Sequence, residues 1–581
     1  MRDPRPDRSA AALPRPAELF TPKLVTVLRE GYGPAHLKAD AVAGLTVAIV
    51  ALPLSMAIAI ASHATPERGL YTAIVGGFVI SLLGGSRFQI GGPAGAFIVL
   101  VASIVDRHGF DGLLLATLMA GAMIFAIGAL RLGTYIKYVP HPVTVGFTSG
   151  IAVIIFASQI RELLGLKLAG AEPAPLVSKL AALWQALPSF SPAAAGVAAF
   201  SVLLILLLRK LKPHWPGFLI AVAATAGGAW VLGLDVETIA SRFGGIPRGL
   251  PIPSLPPMSL DTMEALLPDA VALALLGSIE SLLSAVVADS MTGRRHRSNC
   301  ELVAQGLANI ASALFGGLTA TGTIARTATN VRAGAHGPVA GMLHAAFILL
   351  FMLVAAPLAG FIPLAALAAI LAVVAWNMAE RAEFKSLLTA SRGEAAVLLA
   401  TFGLTVFRDL TEGIIVGVTL GCLVFMHRMA QAIEVETHRP LPMVEEDRAD
   451  AGDGARPAYD PDAEYATASD IVIHRISGAF FFGAASTVAA TLERIGEPPR
   501  GFILDLSRVP FVDYSAAHSL HGFLRKAARH DAVVYLTGAP PHIRRELIRF
   551  GIRKPLVRYG HSIEDCVKAI RHGHEIDVAG E

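Results

Sequence analysis

Two charged residues stand inside apolar stretches of the sequence. Glu280 lies within the run 273–283, and Arg326 lies in a short segment that spans 323–331. Ionisable side chains inside membrane segments are costly, and they are functional-site candidates by default. A carboxyl group in hydrocarbon can keep a proton at neutral pH because its ionised form is poorly solvated, and a guanidinium attracts anions. The two residues therefore predict proton and anion chemistry inside a membrane.

Each residue also has a plainer interpretation. Arg326 could extend to the cytoplasmic edge of the membrane, and Glu280 could be a structural partner for Arg326 or for a backbone group. We expect a functional role for each residue in preference to these plainer ones. Arg326 is predicted to contact an anion or to set the local potential, and Glu280 is predicted to carry a coupling proton.

Two segments of the apolar region are broken by glycine, proline and polar residues, at 90–97 and at 319–332. A bilayer tolerates irregular backbone only where protein buries it or where it lines a cavity. Half-helices that begin inside the membrane point free N–H groups and a positive dipole end at the gap, which suits an anion. Tight helix packing through small residues is the alternative. The predicted binding residues are Ala94, Gly95, Ala96, Ala325, Arg326 and Thr327.

The elements that must position these residues are apolar helices. The chain has 581 residues, of which 54% are hydrophobic and 16% charged, and apolar stretches of about 20 residues match the thickness of a bilayer. Fourteen segments are predicted, at 40–61, 68–84, 92–106, 112–131, 143–164, 193–210, 216–233, 265–288, 300–316, 323–331, 338–357, 361–378, 394–407 and 412–429. The broken segments are third in each group of seven, as a 7+7 inverted repeat requires.

The sequence divides into a polar N-terminal part (1–38), a membrane region (39–430), a linker (431–468) and a soluble domain (469–581). Basic residues concentrate in the short connections after even-numbered segments, so these connections and both termini are predicted to be cytoplasmic. Alternating strands and helices predict a small, largely parallel sheet in the soluble domain. Four histidines near segment ends are interpreted as capping or interfacial residues, namely His63, His141, His336 and His344.

Other functional classes find little support. The net charge of +3 is too small to indicate nucleic-acid binding, and Cys300, Cys422 and Cys566 lack the spacing of metal ligands. The sequence offers no nucleophile constellation and no nucleotide loop, so an enzyme, a metal site and a cofactor are not expected.

Several motifs resemble the sulfate permease (SulP) family of anion transporters with a C-terminal STAS domain. They lie at 40–56, 69–71, 84–96, 280–290, 299–317 and 512–516, and the resemblance covers about residues 35 to 575. It implies a fold with core and gate units, a homodimer, and secondary anion transport in the bacterial inner membrane. Related STAS domains bind regulators and are phosphorylated, which makes Ser515 a possible regulatory residue; its plainer role is in the first turn of a helix that Asp513 caps.

Two departures from the family pattern bear on function. Many relatives have Gln after the proline of the first segment and Tyr four residues later, where this chain has Leu54 and Ile58. A polar contact to the anion is therefore expected to be missing. Sodium-coupled relatives often have a shorter Asp at position 280, whereas Glu280 followed by Ser284 favours protons as the coupling ion.

Together these features predict a proton-coupled anion symporter that works by alternating access, with sulfate as the first candidate substrate. Bicarbonate and C4-dicarboxylates such as fumarate and succinate are the alternatives, with sodium coupling or exchange as other modes. A passive anion channel and a membrane-anchored sensor with a signalling STAS domain are the competing classes.

Overall fold

The computed structural model describes residues 19–136, 139–170, 172–173, 175–212, 215–408, 410–438, 471–485, 488 and 499–572. Its internal contacts divide the chain into two units, Met1–Gly421 and Cys422–Glu581. The predicted linker from 439 onward lies outside the described residues, as does most of the helix expected at 484–495.

The described residues contain all fourteen predicted segments, and the last of them ends beyond the boundary of the first unit. Eight of the described helices are long and apolar enough to cross a membrane, and the chain is a multi-pass membrane protein. In chain order the segments are Pro34–Ala61, 66–83, 95–108, 110–129, His141–Leu164, Pro192–Leu211, Gly217–Leu232, Leu260–Thr292, Ser298–Leu314, Ile324–Arg332, Val339–Ala359, Leu364–Met378, Arg392–Phe407 and Leu410–Gln431. We number them 1 to 14.

Segments 3 and 4 are continuous apart from one residue. Gly109 has φ +71° and ψ −179°, so it breaks the helical path between Ile98 and Ala129. Glycine adopts this conformation without the steric penalty that a side chain would bring. Segment 3 begins with a 3-10 turn, Gly95–Phe97.

The segments pack as two groups. Segment 1 packs on segment 11, segments 3 and 4 pack on segments 8 and 9, and segment 10 packs on segments 1 and 8. In the second group, segment 5 packs on segments 12 and 13, and segment 6 packs on segments 7 and 12. Segments 1–4 with 8–11 therefore form the core unit, and segments 5–7 with 12 and 13 form the gate unit. Segment 14 joins the gate unit, because its Gly413 and Gly417 lie close to Thr405 and Thr401 of segment 13.

The two broken segments meet in the core unit through their extended parts. Strand β1 (Gly91–Gly92) pairs antiparallel with β2 (Thr321–Gly322), so Gly91 lies opposite Gly322 and Gly92 opposite Thr321. This pairing satisfies backbone groups that would otherwise be exposed inside the bilayer. It also fixes where the two half-helices begin.

The second unit contains a five-stranded sheet of order β3 (Glu434–His438), β4 (Ile471–Ser477), β5 (Gly501–Arg508), β6 (Val533–Thr537) and β7 (Arg558–Gly560). Strands β4 to β7 are parallel, as the alternating pattern predicts. Helices Tyr514–Arg529, Pro541–Arg549 and Ile563–His572 connect or follow these strands.

The structure differs from the sequence prediction at the start of the linker. Residues Glu434–His438 form an edge strand that pairs antiparallel with β4. The adjacent Ile433 is buried in the hydrophobic core of the second unit. This strand is not predictable from the sequence because its exposed residues are charged, and because its hydrogen bonds go to a strand more than thirty residues further along the chain.

Candidate functional site

A cavity of about 370 Å³ lies where the half-helices of segments 3 and 10 begin. Its wall includes Ala94, Gly95, Ala96, Ala325 and Arg326, five of the six predicted binding residues. Glu280 lines the same cavity from segment 8. Parts of the gate unit close the other side, including Thr144, Phe147, Val374, Met378 and Glu380. The structure therefore brings both broken segments and the membrane carboxyl group to one space.

Several backbone N–H groups at the starts of segments 3 and 10 have no hydrogen-bond acceptor in the described part of the chain. The N–H groups of Gly95 and Ala96 in the first turn of segment 3 have no acceptor among the described residues. The same holds for the N–H groups of Ile324, Ala325 and Arg326, because Thr323 makes no side-chain cap to segment 10. Such groups and the positive dipole ends of the helices attract an anion.

Arg326 is the buried cation of the site, with 1% of its surface exposed. Its Nη2 donates to Ser55 Oγ at 3.1 Å and to the Pro93 carbonyl at 3.3 Å. Nε and Nη1 have no hydrogen-bond partner among the described residues, and no described carboxylate forms an ion pair with the guanidinium. Arg326 therefore does not extend to the membrane edge, and its buried Nε and Nη1 are donors beside the cavity without a partner in the described part of the chain.

Gly92 provides the space for this guanidinium. A Cβ atom at position 92 would lie 2.2 Å from Arg326 Nη1, and the residue has φ +156°. Both facts favour glycine. The glycines of the first broken segment thus serve the approach of an arginine from the second as well as the approach of a ligand.

Glu280 is half-buried at the cavity wall, and its Oε2 has no hydrogen-bond partner among the described residues. The structural partnership with Arg326 that the sequence left open is absent from the described part of the chain. An unpaired carboxyl group in a membrane core is strongly disfavoured when charged, so it is suited to holding a proton.

Two predicted site residues lie behind the cavity. Thr327 and Ser284 are fully buried, and their hydroxyl oxygens are 3.0 Å apart. Thr327 Oγ1 also accepts from the Ile90 N–H at 3.1 Å, and the Thr327 N–H is bonded to Thr323 O. Thr327 therefore engages its hydroxyl and its N–H inside the core and not at the cavity wall. The hydrogen bond between the two hydroxyls links segment 8 to segment 10, and neither residue lines the cavity.

A further polar cluster, formed by Gln89, Ser281 and Thr321, is not predicted by the sequence. Gln89 Nε2 donates to the Ser281 carbonyl at 3.1 Å, and the hydroxyls of Ser281 and Thr321 are 2.9 Å apart. A Cβ atom on Gly322 would lie 1.4 Å from Gln89 Nε2. The two hydrogen bonds join residues 192 and 40 positions apart in sequence, so no local pattern reveals them. They hold the helix of Glu280 against the paired strands.

The two residues of segment 1 that depart from the family pattern both line the cavity. Leu54 and Ile58 line the cavity and are 7% and 3% exposed. The wall is therefore apolar at the two positions where many relatives have polar side chains. Recognition of the anion falls mainly to backbone groups and to Arg326.

One of the four histidine interpretations is wrong. His344 is fully buried at the sixth residue of segment 11, and neither ring nitrogen has a partner among the described residues. The close approach of Gly44 on segment 1 lets this helix contact bring the ring inside. By contrast, His63 lies at a segment end and contacts Asp106 at 2.7 Å.

The predicted regulatory residue Ser515 is exposed in the first turn of its helix. Asp513 caps that helix, because its Oδ1 accepts from the Ala516 N–H at 2.8 Å. Its other oxygen accepts from the Phe482 N–H at 2.9 Å. This is the geometry expected from the plainer interpretation, and a regulatory role for Ser515 stays a prediction.

A membrane domain with a cationic cavity between two broken helices, followed by a small α/β domain, defines an anion transporter. Residues 37–401 match the Sulfate permease family, and residues 462–564 match the STAS domain. The chain belongs to the sulfate permease family.

Known proteins of this kind are similar over most of the chain. The putative sulfate transporter YvdB of Bacillus subtilis is 40% identical, with 88% of this chain and 93% of that protein covered. The bicarbonate transporter BicA of Synechocystis is 31% identical, with 88% and 90% covered. The solved structure of SLC26A9 has the same fold, with a TM-score of 0.82, 17% identity, and 96% and 93% covered.

Proposed function

We propose that this protein is a proton-coupled importer of a small inorganic anion, with sulfate as its first candidate substrate. The observation that supports it most is the cavity in which Arg326 and Glu280 meet the ends of both half-helices. Alternating access would come from movement of the core unit against the gate unit, because each unit supplies one side of the cavity.

The charge of the site suits an oxyanion. Arg326 supplies one positive charge, and each helix N-terminus is equivalent to about half a charge. The sum of these terms is roughly +2 when Glu280 is protonated and roughly +1 when it is ionised. Glu380, which also lines the cavity, would lower either value by one when ionised. Protonation of Glu280 would therefore favour binding of a dianion, which links the proton to the substrate.

Bicarbonate is the second candidate. Moving each net charge against a potential of 100 mV costs about 2.3 kcal/mol. Import of sulfate with one proton moves a net negative charge, whereas import of bicarbonate with one proton is electroneutral. The similarity to BicA adds weight to this alternative, and fumarate tests the C4-dicarboxylate class.

We further propose that the protein lies in the bacterial inner membrane with both termini in the cytoplasm. The support is the concentration of basic residues in connections such as 293–297, which follows segment 8 and holds Arg294, Arg295 and Arg297. A homodimer and a cytosolic partner at the STAS domain are proposed from the family alone.

Uptake by proteoliposomes tests the proposal. Full-length protein is reconstituted, and entry of labelled sulfate, bicarbonate and fumarate is measured with an imposed pH gradient, sodium gradient or neither, with the voltage clamped by potassium and valinomycin. Proton-coupled import predicts accumulation above equilibrium under an inward proton gradient, without a requirement for sodium.

Each other outcome would indicate a different coupling mode or a different class of membrane protein. Accumulation that needs sodium would contradict proton coupling, and uptake that only equilibrates under either gradient would indicate a channel. No movement of any anion would favour the sensor class.

A further inference from the structure

A second cavity, of about 420 Å³, lies in the gate unit between segments 5, 12 and 13. We call it the lateral cavity. Its fourth side is the short helix Arg381–Ala390, which has no buried residue and joins segment 12 to segment 13. Its wall is almost entirely apolar and includes Val153, Phe156 and Phe402.

The charges at this cavity are all positive among the residues that line it. Arg381 and Lys385 contribute to the wall, and no acidic residue does. Neither side chain forms an ion pair with any described residue. Arg381 stacks on the Trp376 ring, with Cζ 4.0 Å from the ring centroid. The nearby Glu383 is 4.0 Å from His141 and is not part of the wall.

Ser149 adds an unused polar group. It is 5% exposed, it lines the lateral cavity, and its hydroxyl has no hydrogen-bond partner among the described residues. Hydroxyls on helices commonly donate to the carbonyl four residues earlier, as Ser158 does to Ile154. The Ser149 hydroxyl is therefore a buried polar group beside the cavity with no partner among the residues that the structure describes.

These groups follow the order of a phospholipid. The cations lie on the short helix at the membrane edge, Ser149 lies two turns into segment 5, and Phe156 is seven residues deeper, or about 10 Å at the helical rise. Val153 and Phe156 are 39% and 44% exposed, so the apolar part is open to the bilayer. The positive charges match the phosphodiester of a phospholipid, the hydrogen-bond donor matches its ester linkage, and the apolar wall matches its acyl chain.

We propose that the lateral cavity binds one anionic phospholipid. Arg381 and Lys385 hold the phosphodiester, the Ser149 hydroxyl donates to an ester oxygen, and one acyl chain lies along segments 5 and 13. Basic sites between membrane helices on the cytoplasmic side are suited to such headgroups. A free phosphate would leave the apolar part unfilled.

The lateral cavity also adjoins the cavity lined by Arg326 and Glu280, which we call the transport cavity. Thr148 and Met378 line the transport cavity, while their neighbours Ser149 and Ala379 line the lateral cavity. The lipid thus contacts the reverse side of two gate helices.

Native mass spectrometry of the delipidated full-length protein tests the proposal, with dioleoylphosphatidylglycerol as probe and dioleoylphosphatidylcholine as comparison. One phosphatidylglycerol per chain is expected in preference to phosphatidylcholine. Replacement of both cations, R381Q/K385Q, should weaken its binding about thirtyfold, since each basic residue contributes about 1 kcal/mol near an anionic headgroup and 1.4 kcal/mol is tenfold. The matched control R294Q/R295Q removes two exposed arginines from another connection and should bind as the wild type does.

Two more variants separate the parts of the site. Val153→Trp should block the apolar part and abolish the preferred binding while both cations remain. Ser149→Ala should weaken binding two- to tenfold. Unchanged phosphatidylglycerol binding by R381Q/K385Q, equal binding of phosphatidylcholine, or full competition by inorganic phosphate at the lipid concentration would each overturn the proposal.

Discussion

Replacement of Arg326 by glutamine should greatly weaken anion binding. The side chain is buried, and its Nε and Nη1 have no partner among the described residues. Each hydrogen bond to a charged group contributes about 1.5–3 kcal/mol. Two such bonds at the lower figure give about 3 kcal/mol, or roughly a 150-fold loss of affinity. Arg326→Lys keeps the charge but loses the planar donor pair, so we expect an intermediate loss of about tenfold.

Equilibrium binding of labelled sulfate to the purified protein measures this effect, with bicarbonate or fumarate used if uptake identifies one of them. Ser55→Ala is the matched control, because it removes the acceptor of Nη2 without removing the cation. It should change affinity less than threefold. Wild-type affinity in Arg326→Gln, together with an unchanged unfolding temperature, would refute direct contact between Arg326 and the anion.

Four further predictions concern other parts of the molecule. Leu54→Gln places a polar group in the apolar wall of the transport cavity and should tighten anion affinity two- to tenfold, worth about 0.5–1.5 kcal/mol; equal or weaker binding would contradict the proposed geometry. Gly322→Ala should displace Gln89 and abolish uptake, whereas Gly403→Ala, at a helical position with open space around it, should leave uptake intact. Burial lowers the pKa of His474 to about 4, so the folded state binds fewer protons than the unfolded state between pH 6.5 and 4. The STAS domain should be fully stable above pH 6.5 and lose up to about 3 kcal/mol on acidification to pH 4; hydrogen exchange of β4 in the full-length protein, corrected for intrinsic rates, should show a smaller acid effect in His474→Gln. Sulfate uptake should be faster in vesicles that contain phosphatidylglycerol than in phosphatidylcholine alone, and R381Q/K385Q should remove the difference.

Hydropathy and helix-breaking residues predict much of the membrane domain. The fourteen segments appear within a few residues of their expected positions, and the broken third and tenth segments meet as the repeat requires. Glu280 and Arg326 stand out because charge in hydrocarbon is rare, and both line the cavity. Features with a strong local signal in sequence were therefore predictable.

Contacts between distant residues were not predictable from the sequence. The strand pairing of Gly92 with Thr321, the hydrogen bond from Gln89 to Ser281, and the Ser284–Thr327 pair depend on how the core helices pack. Thr327 was assigned to the anion because it follows Arg326, yet its hydroxyl and N–H are both occupied inside the core. His344 lies in the second turn of segment 11, as the sequence predicts, but the close packing of this helix on Gly44 of segment 1 buries its ring.

In the proposed mechanism, Glu280 carries the proton that moves with the anion. The most direct measurement is proton entry into voltage-clamped proteoliposomes, reported by a trapped pH dye, when sulfate is added outside. Internal acidification is expected with the wild type and with the control Glu380→Gln, whose carboxyl group also lines the cavity but lies beyond the end of segment 12. Glu280→Gln should bind sulfate and yet produce no acidification. Wild-type proton entry in Glu280→Gln would contradict the account.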